Sequence, residues 1–194
     1  MAFKIPSAKN TKEKGDRKAS AEHQLIQILA QVPVFSMLNR RELRNVALIV
    51  HRREYRAGEH VFYQNDPGLG MYVIEKGEVL IKIIDENKNE KELVTLKAGD
   101  FFGELALLDE SPRSAFAIAK TDCDLIGFFR PDLFELIEKN TNAGIKIVLK
   151  LAEFIGERLR ATSREVSRLE AEVERLKAQL SRPHEPEALK AVRP

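Results

Sequence analysis

Ten positions near the end of this chain constrain its fold more than any other feature. Val148, Ala152, Ile155, Leu159, Thr162, Val166, Leu169, Val173, Leu176 and Leu180 follow one another in alternating steps of four and three. That spacing is the heptad pattern of a coiled coil rather than of a merely amphipathic helix. No proline interrupts the run before Pro183, and its one glycine, Gly156, is tolerable in a helix. A helix starting near Ala143 or Gly144 would extend about 55 Å at 1.5 Å per residue. A compact domain made from the preceding residues could not cover that length beyond about Val166, so the stripe predicts a second helix and hence a homodimer. Valine and leucine at one seam position, with mostly leucine at the other, suit a parallel pair. Glu172 and Lys177 flank the seam where they can pair across it. Glu165 and Glu170 stand in the equivalent places one heptad earlier and would repel, so charge alone leaves the register open.

The rest of the chain is long enough to bury a core. Of 194 residues, 43% are apolar and 32% charged, which describes a globular chain with a charged surface. The net charge is only +2, so no global field argues for nucleic acid. With one cysteine no disulfide forms within the chain, and a reduced, cytoplasmic setting fits best. Cys123 reads as a small buried hydrophobe. No apolar run has the length of a membrane span, and the N-terminus lacks the apolar core of a signal peptide. Residues 1–20 carry six basic against two acidic side chains and read as a disordered basic tail. The alternative is a weak electrostatic contact with an acidic partner, a membrane or nucleic acid.

Between these ends lie a helical entry and a β region, giving one domain over 21–142, a dimerisation helix over 143–181 and a second disordered tail over 182–194. Leu25, Ile26, Ile28 and Leu29 form an apolar helical face, and Pro33 ends it. Asn39 followed three residues later by Glu42 reads as a capping box. From Arg52 to Phe129 the period falls to two, and Gly58, Gly68, Gly70, Gly77 and Gly99 punctuate short apolar runs. Those runs are 61–63, 71–74, 79–84, 92–96, 115–118 and 124–128, with a polar hairpin loop over 85–90. The pattern is that of an antiparallel roll or sandwich. Pro131 suits the start of the next helix, and Asn140-Thr141-Asn142 breaks it.

Inside the β region, Gly99 to Ala115 reads Gly-Asp-Phe-Phe-Gly-Glu-Leu-Ala-Leu-Leu-Asp-Glu-Ser-Pro-Arg-Ser-Ala. Gly103 lets backbone approach a ligand closely. Glu104, Leu105, Ala106, Leu107 and Leu108 favour a turn of helix, whose N-terminal amides suit a phosphate. Arg113 adds a permanent charge with a donor fork that matches two phosphate oxygens. Glu104 can accept from a sugar hydroxyl, and Ser114 offers a small hydroxyl beside the arginine. The inventory fits a nucleotide of low charge; the alternative is an ordinary surface loop with a solvated Glu104 and Arg113.

Phe102 to Leu108, with Ser111 to Ala115, resembles the phosphate-binding cassette of the cyclic-nucleotide-binding domain family. That family includes the bacterial cAMP receptor protein, the regulatory subunits of cAMP-dependent protein kinase and the cyclic-nucleotide-gated channels. The resemblance implies a mainly β fold with flanking helices: an eight-stranded jelly roll followed by the long coiled-coil helix. It also implies that Gly103, Glu104, Leu105, Ala106, Arg113, Ser114 and Ala115 bind a cyclic nucleotide. Gly58, Gly77, Gly99 and Gly103 match turn glycines of the family, whereas Asn65 stands where the family often has glycine. Asparagine tolerates positive φ, so the turn is retained. Ile81 and Leu93 would wall the pocket near the base, or serve as plain core packing.

The run Arg158 to Val166 resembles the central helix of the cAMP receptor branch. There, by resemblance, Thr162 would read the adenine of its own subunit's ligand and Ser163 would reach the ligand of the other subunit. A hydroxyl in an apolar seam needs a partner, and a base edge would supply one; the alternative is that Thr162 sets coiled-coil register or bonds its own backbone. The implied ligand is cAMP, with cGMP possible, and no cofactor is expected. Only fourteen residues follow Leu180, too few for the helix-turn-helix domain of the family's transcription factors. Direct sequence-specific DNA binding is therefore not expected, nor are kinase, channel or cyclase modules.

No catalytic constellation stands out. His23, His51, His60 and His184 form no metal-ligand spacing with Cys123, and neither a nucleophile elbow nor a phosphate-binding P-loop occurs. Asp109 and Glu110 read as loop-shaping. The function expected is a non-catalytic cyclic-nucleotide sensor that signals to a protein partner through its coiled coil. Two alternatives are an adaptor whose roll no longer answers a nucleotide and a DNA-associated regulator working through the basic tail.

Overall fold

The computed structural model describes residues 8–85 and 87–180. In chain order the elements are α1 (Ala8–Gln31), a 3₁₀ turn (Pro33–Phe35), α2 (Arg40–Ile49), β1 (His51–Tyr55), β2 (His60–Phe62), β3 (Gly70–Lys76), β4 (Glu78–Ile84), β5 (Glu90–Lys97), β6 (Phe101–Phe102), a second 3₁₀ turn (Glu104–Leu107), β7 (Phe116–Ala119), β8 (Cys123–Phe129), α3 (Arg130–Lys139) and α4 (Thr141–Leu180). The eight strands pair antiparallel in two four-stranded sheets, the roll expected from the sequence.

In the sheet ordered β1-β8-β3-β6, the central strands β3 and β8 are buried on both faces. Met71, Val73, Ile126 and Phe128 pack with the helices, while Tyr72, Ile74, Cys123 and Leu125 face the roll interior. Burial of both faces explains why β3 and β8 read as nearly continuous apolar runs. The other sheet, β2-β7-β4-β5, turns Val79, Ala117 and Ala119 inward and leaves β5 exposed along its edge. Cys123 is buried as a free thiol, as its reading as a small hydrophobe requires.

Two strands escape a reading by period alone. β1 is exposed at four of its five positions and exists because it pairs with β8, from His51 opposite Gly127 to Tyr55 opposite Cys123. β6 is two residues long, pairing Phe102 with Tyr72 and Phe101 with Val73.

The helical layer differs from the sequence reading in two places. Disorder is expected over 1–20; residues 1–7 lie outside the described residues, but from Ala8 the chain is helical through Gln31. No proline stands between Pro6 and Pro33, and Lys, Arg, Glu and Ala dominate Lys9–Ala19. These are good helix formers, and extending a helix already packed at Ile26 and Leu29 costs little once nucleated. The tail expected over 182–194 also lies outside the described residues.

The second difference concerns the domain boundary. The chain divides into two compact units, one up to Ala152 and one from Glu153, so the division falls inside α4 rather than at 142/143. Ala143, Ile147 and Leu151 belong to the core of the first unit, which is why that stretch of helix goes with the roll. Asn140 alone separates α3 from α4, and its Oδ1 accepts from Ala143 N at 3.2 Å. A Cβ at Gly144 would overlap the side chain of Ile137, so only glycine lets α4 leave α3 this closely.

α2 starts with the expected capping box. The Asn39 side chain accepts from the Arg41 and Glu42 amides, and Asn39 N donates to Glu42 Oε2 at 2.8 Å. In the second unit the seam side chains Leu159, Val166, Leu169, Val173, Leu176 and Leu180 are 46–87% exposed. Glu172 and Lys177 pair along their own helix, with Arg175 and Glu174. No helix among the described residues is long and apolar enough to cross a membrane.

Candidate functional site

The site is built where β6 ends. Gly103 follows it with φ 77° and ψ 18°, the left-handed region that glycine reaches without strain. That reversal starts the 3₁₀ turn, in which Ala106 N donates to Gly103 O at 3.3 Å. Ala106 and Leu107 are buried and anchor the turn, Leu107 among the helices; Leu105 is exposed. Asp109 shapes the next loop, accepting from Ser111 N at 3.2 Å and from Ser111 Oγ at 2.9 Å.

Arg113 returns the chain to this turn and is held at both ends. Its backbone pairs with the turn at Asn65 and Asp66: Asn65 N donates to Arg113 O, and Arg113 N to Asp66 O, each at 2.8 Å. Asn65 has φ 70°, the conformation that its side chain tolerates in place of glycine. Asp66 Oδ2 closes the same turn by accepting from Tyr63 N at 3.0 Å. The guanidinium lies inward with only 7% of the residue exposed. Nη1 donates to Gly103 O at 3.1 Å, Nη2 to Gly70 O at 2.7 Å, and Cζ sits 4.1 Å from the centroid of the Phe62 ring. A Cβ at Gly103 would come within 2.7 Å of Nη1.

One nitrogen of the guanidinium has no partner at all. Arg113 Nε is buried and has no hydrogen-bond partner, a costly state for a cationic N–H. Burial lowers the Arg113 pKa from its ordinary value, against the opposing influence of Tyr72, Glu104 and Asp66. An arginine stays protonated even so. Glu104 is 4% exposed, the nearest carboxylate in sequence to the cradle. The arrangement therefore combines a desolvated cation, an unused N–H and an acidic acceptor. Chemically it suits an anion of low charge joined to a hydroxyl-bearing group, and an orphaned buried donor is what such an anion would satisfy.

The roll wall beside it is aromatic. Tyr72 and Phe102 stack at 5.6 Å, and Phe62 lies 5.8 Å from Phe102. The Tyr55 hydroxyl is pushed up to about 12, first by burial and then by its neighbour Tyr72.

Of the residues singled out from the sequence, Gly103, Glu104 and Ala106 lie in one turn, and Arg113 meets that turn at the Gly103 carbonyl. Leu105 lies on the outer side of the turn, Ser114 is exposed and Ala115 is buried. Thr162 and Ser163 are exposed residues of α4 in the second unit. Ile81 packs against the roll interior, whereas Leu93 is 50% exposed on the edge strand. Sequence reasoning missed Phe62, Gly70 and Tyr72. The run 61–63 marks a strand, but a register shift between His60 and Phe62 sets the direction of Phe62, and alternation does not reveal it.

Comparison with known proteins gives concordant matches. Residues 52–140 match the model of the family described as cyclic nucleotide-binding domain. The chain is 34% identical over 140 residues to the cyclic AMP receptor protein of Thermus thermophilus, covering 72% of this chain and 63% of that protein. The crystal structure of the Thermus thermophilus catabolite activator protein superposes with a TM-score of 0.65 at 33% identity, covering 71% of this chain and 63% of that one. The regulatory domain of Toxoplasma gondii PKA, solved with cAMP, matches with a TM-score of 0.56 at 28% identity, over 60% of this chain and 44% of that one. The chain thus spans less than two thirds of each of these proteins.

Proposed function

We propose that this chain, which carries a cyclic nucleotide-binding domain, is a dimeric sensor of cAMP that acts without catalysis. In this reading Arg113 neutralises the cyclic phosphate, the Gly103–Ala106 backbone and Ser114 complete the cradle, and Glu104 accepts from the ribose 2′-hydroxyl. Leu105 and Ala115 border the ligand. Thr162 reads the adenine edge, and Ser163 reaches the ligand of a second copy across the seam. The coiled coil carries the ligand's effect to a protein partner by shifting the population of dimer arrangements. A cytoplasmic setting goes with the reading.

The observation that carries the proposal is the Nε of Arg113, a buried cationic donor with no partner beside a buried Glu104. The protein kinase regulatory domain solved with cAMP and the cyclic AMP receptor protein support cAMP over other cyclic nucleotides. Titration of the full chain with cAMP and, separately, cGMP tests it. Saturable binding with cAMP preferred is expected. Absence of binding to either would overturn the reading, and preference for cGMP would overturn the role given to Thr162.

A further inference from the structure

We propose that Phe62 is a positioning residue for the nucleotide phosphate, holding the Arg113 guanidinium from below through its ring face. The inference rests on the nucleotide reading above and adds a residue outside the cassette.

The geometry is specific. Arg113 Cζ lies 4.1 Å from the Phe62 centroid, a cation–π distance. Arg113 is only 7% exposed, so bulk water screens the contact little. Its in-plane nitrogens are divided: Nη1 and Nη2 each donate once, to Gly103 O and Gly70 O, and Nε is unpaired. Two carbonyls fix the far edge of the plane, but two in-plane bonds leave the group free to tilt about the line joining them. A ring beneath the face removes that tilt. With the plane set, the Nε–H edge keeps one direction, so the donor is oriented before an anion reaches it. Such prior orientation raises affinity by sparing the ordering cost of binding.

The chain takes trouble to put this ring there. β2 shifts register between His60, opposite Ile118, and Phe62, opposite Ala117. As a result two successive residues, Val61 and Phe62, both pack against the roll interior. Without the bulge, alternation would turn one of them outward. Phe62 is in turn braced by Phe102 at 5.8 Å and Tyr72 at 6.3 Å. The acidic influences on Arg113 come from Glu104, Asp66 and Tyr72, and none of them is the partner of Nε.

Packing alone would also keep an aromatic residue at this place, so the test must separate ring electrons from ring volume. The full chain is prepared with phenylalanine, monofluoro-, trifluoro- and pentafluorophenylalanine at position 62, and with Phe62→Leu and Phe62→Tyr. Fluorination withdraws charge from the ring face with little change of shape. cAMP affinity is measured by calorimetry, and melting temperature is recorded in parallel. Affinity is expected to fall stepwise along the fluorine series, to a total of roughly threefold to thirtyfold, with Phe62→Leu weakened and Phe62→Tyr near the unsubstituted protein. Affinity that ignores the fluorine series, while the unsubstituted protein binds normally, overturns the positioning role alone. No binding by the unsubstituted protein overturns the nucleotide reading and this inference with it.

Discussion

Lys146 Nζ lies 2.8 Å from each carboxylate oxygen of Glu42, tying the first turn of α2 to α4 across 104 positions of chain. Glu42 is buried and also accepts from Asn39 N, so one carboxylate serves a helix cap and a tertiary ion pair. Its pKa is held below the ordinary value of 4.5, chiefly by the hydrogen bond from Lys146 and then by that from Asn39.

A depressed carboxylate pKa stabilises the fold at pH values above the unfolded-state pKa, and that contribution fades as pH falls through the folded-state value. Glu42→Gln keeps an acceptor for Asn39 but removes the charge. Because Lys146 is part-exposed, the loss is discounted from that of a sealed pair to about 1–3 kcal/mol at pH 7. Urea unfolding across pH measures it. The gap between variant and unsubstituted protein should begin to shrink below about pH 4.5 and continue to close in stronger acid. A gap that stays constant from about pH 6 to pH 3 would contradict this role for the charge.

Gly103→Ala tests the cradle's backbone. The new Cβ meets Arg113 Nη1 at 2.7 Å, and φ of 77° is strained for alanine. Together these should cost about 1–3 kcal/mol in stability. Nucleotide affinity should fall as well, because the guanidinium must shift. Denaturant unfolding and calorimetry read the two effects, and a variant normal in both would show that the left-handed turn is dispensable.

The seam of α4 makes its own prediction. Leu169→Asp with Leu176→Asp places charges among side chains now about half exposed. In a parallel dimer these residues are buried across the seam, so the substituted chain should be monomeric by light scattering at micromolar concentration. The first unit should keep its fold by circular dichroism. A mass equal to that of the unsubstituted protein, whether monomer or dimer, would remove the coiled-coil assignment.

Much of this molecule is legible in its residues. The capping box at Asn39 and Glu42, the turn at Asn65 and the glycine at 103 announce themselves because each is a local solution with few alternatives. β1 and β6 do not. His51–Tyr55 is a polar stretch made into a strand by its neighbour β8, and Phe101–Phe102 is too short to show a period. The extent of α1 is hidden for the opposite reason: charge suggests a tail, while helix propensity and the packed turns at Ile26 and Leu29 carry the helix back to Ala8. At the site, Glu104 and Arg113 are readable from the cassette. Phe62 and the Gly70 carbonyl are not, since a bulge and a strand crossing bring them to Arg113 from 51 and 43 positions away.

The most direct measurement is a calorimetric titration of the full chain with cAMP, beside the same titration of Arg113→Ala. The expected result is saturable binding by the unsubstituted protein and a loss of about 2–5 kcal/mol in the variant, the range for removing one partner of a desolvated charge pair. A circular dichroism spectrum unchanged by the substitution would confirm that the variant is folded. Equal cAMP affinity in a folded Arg113→Ala chain would contradict the assignment of the phosphate to this arginine.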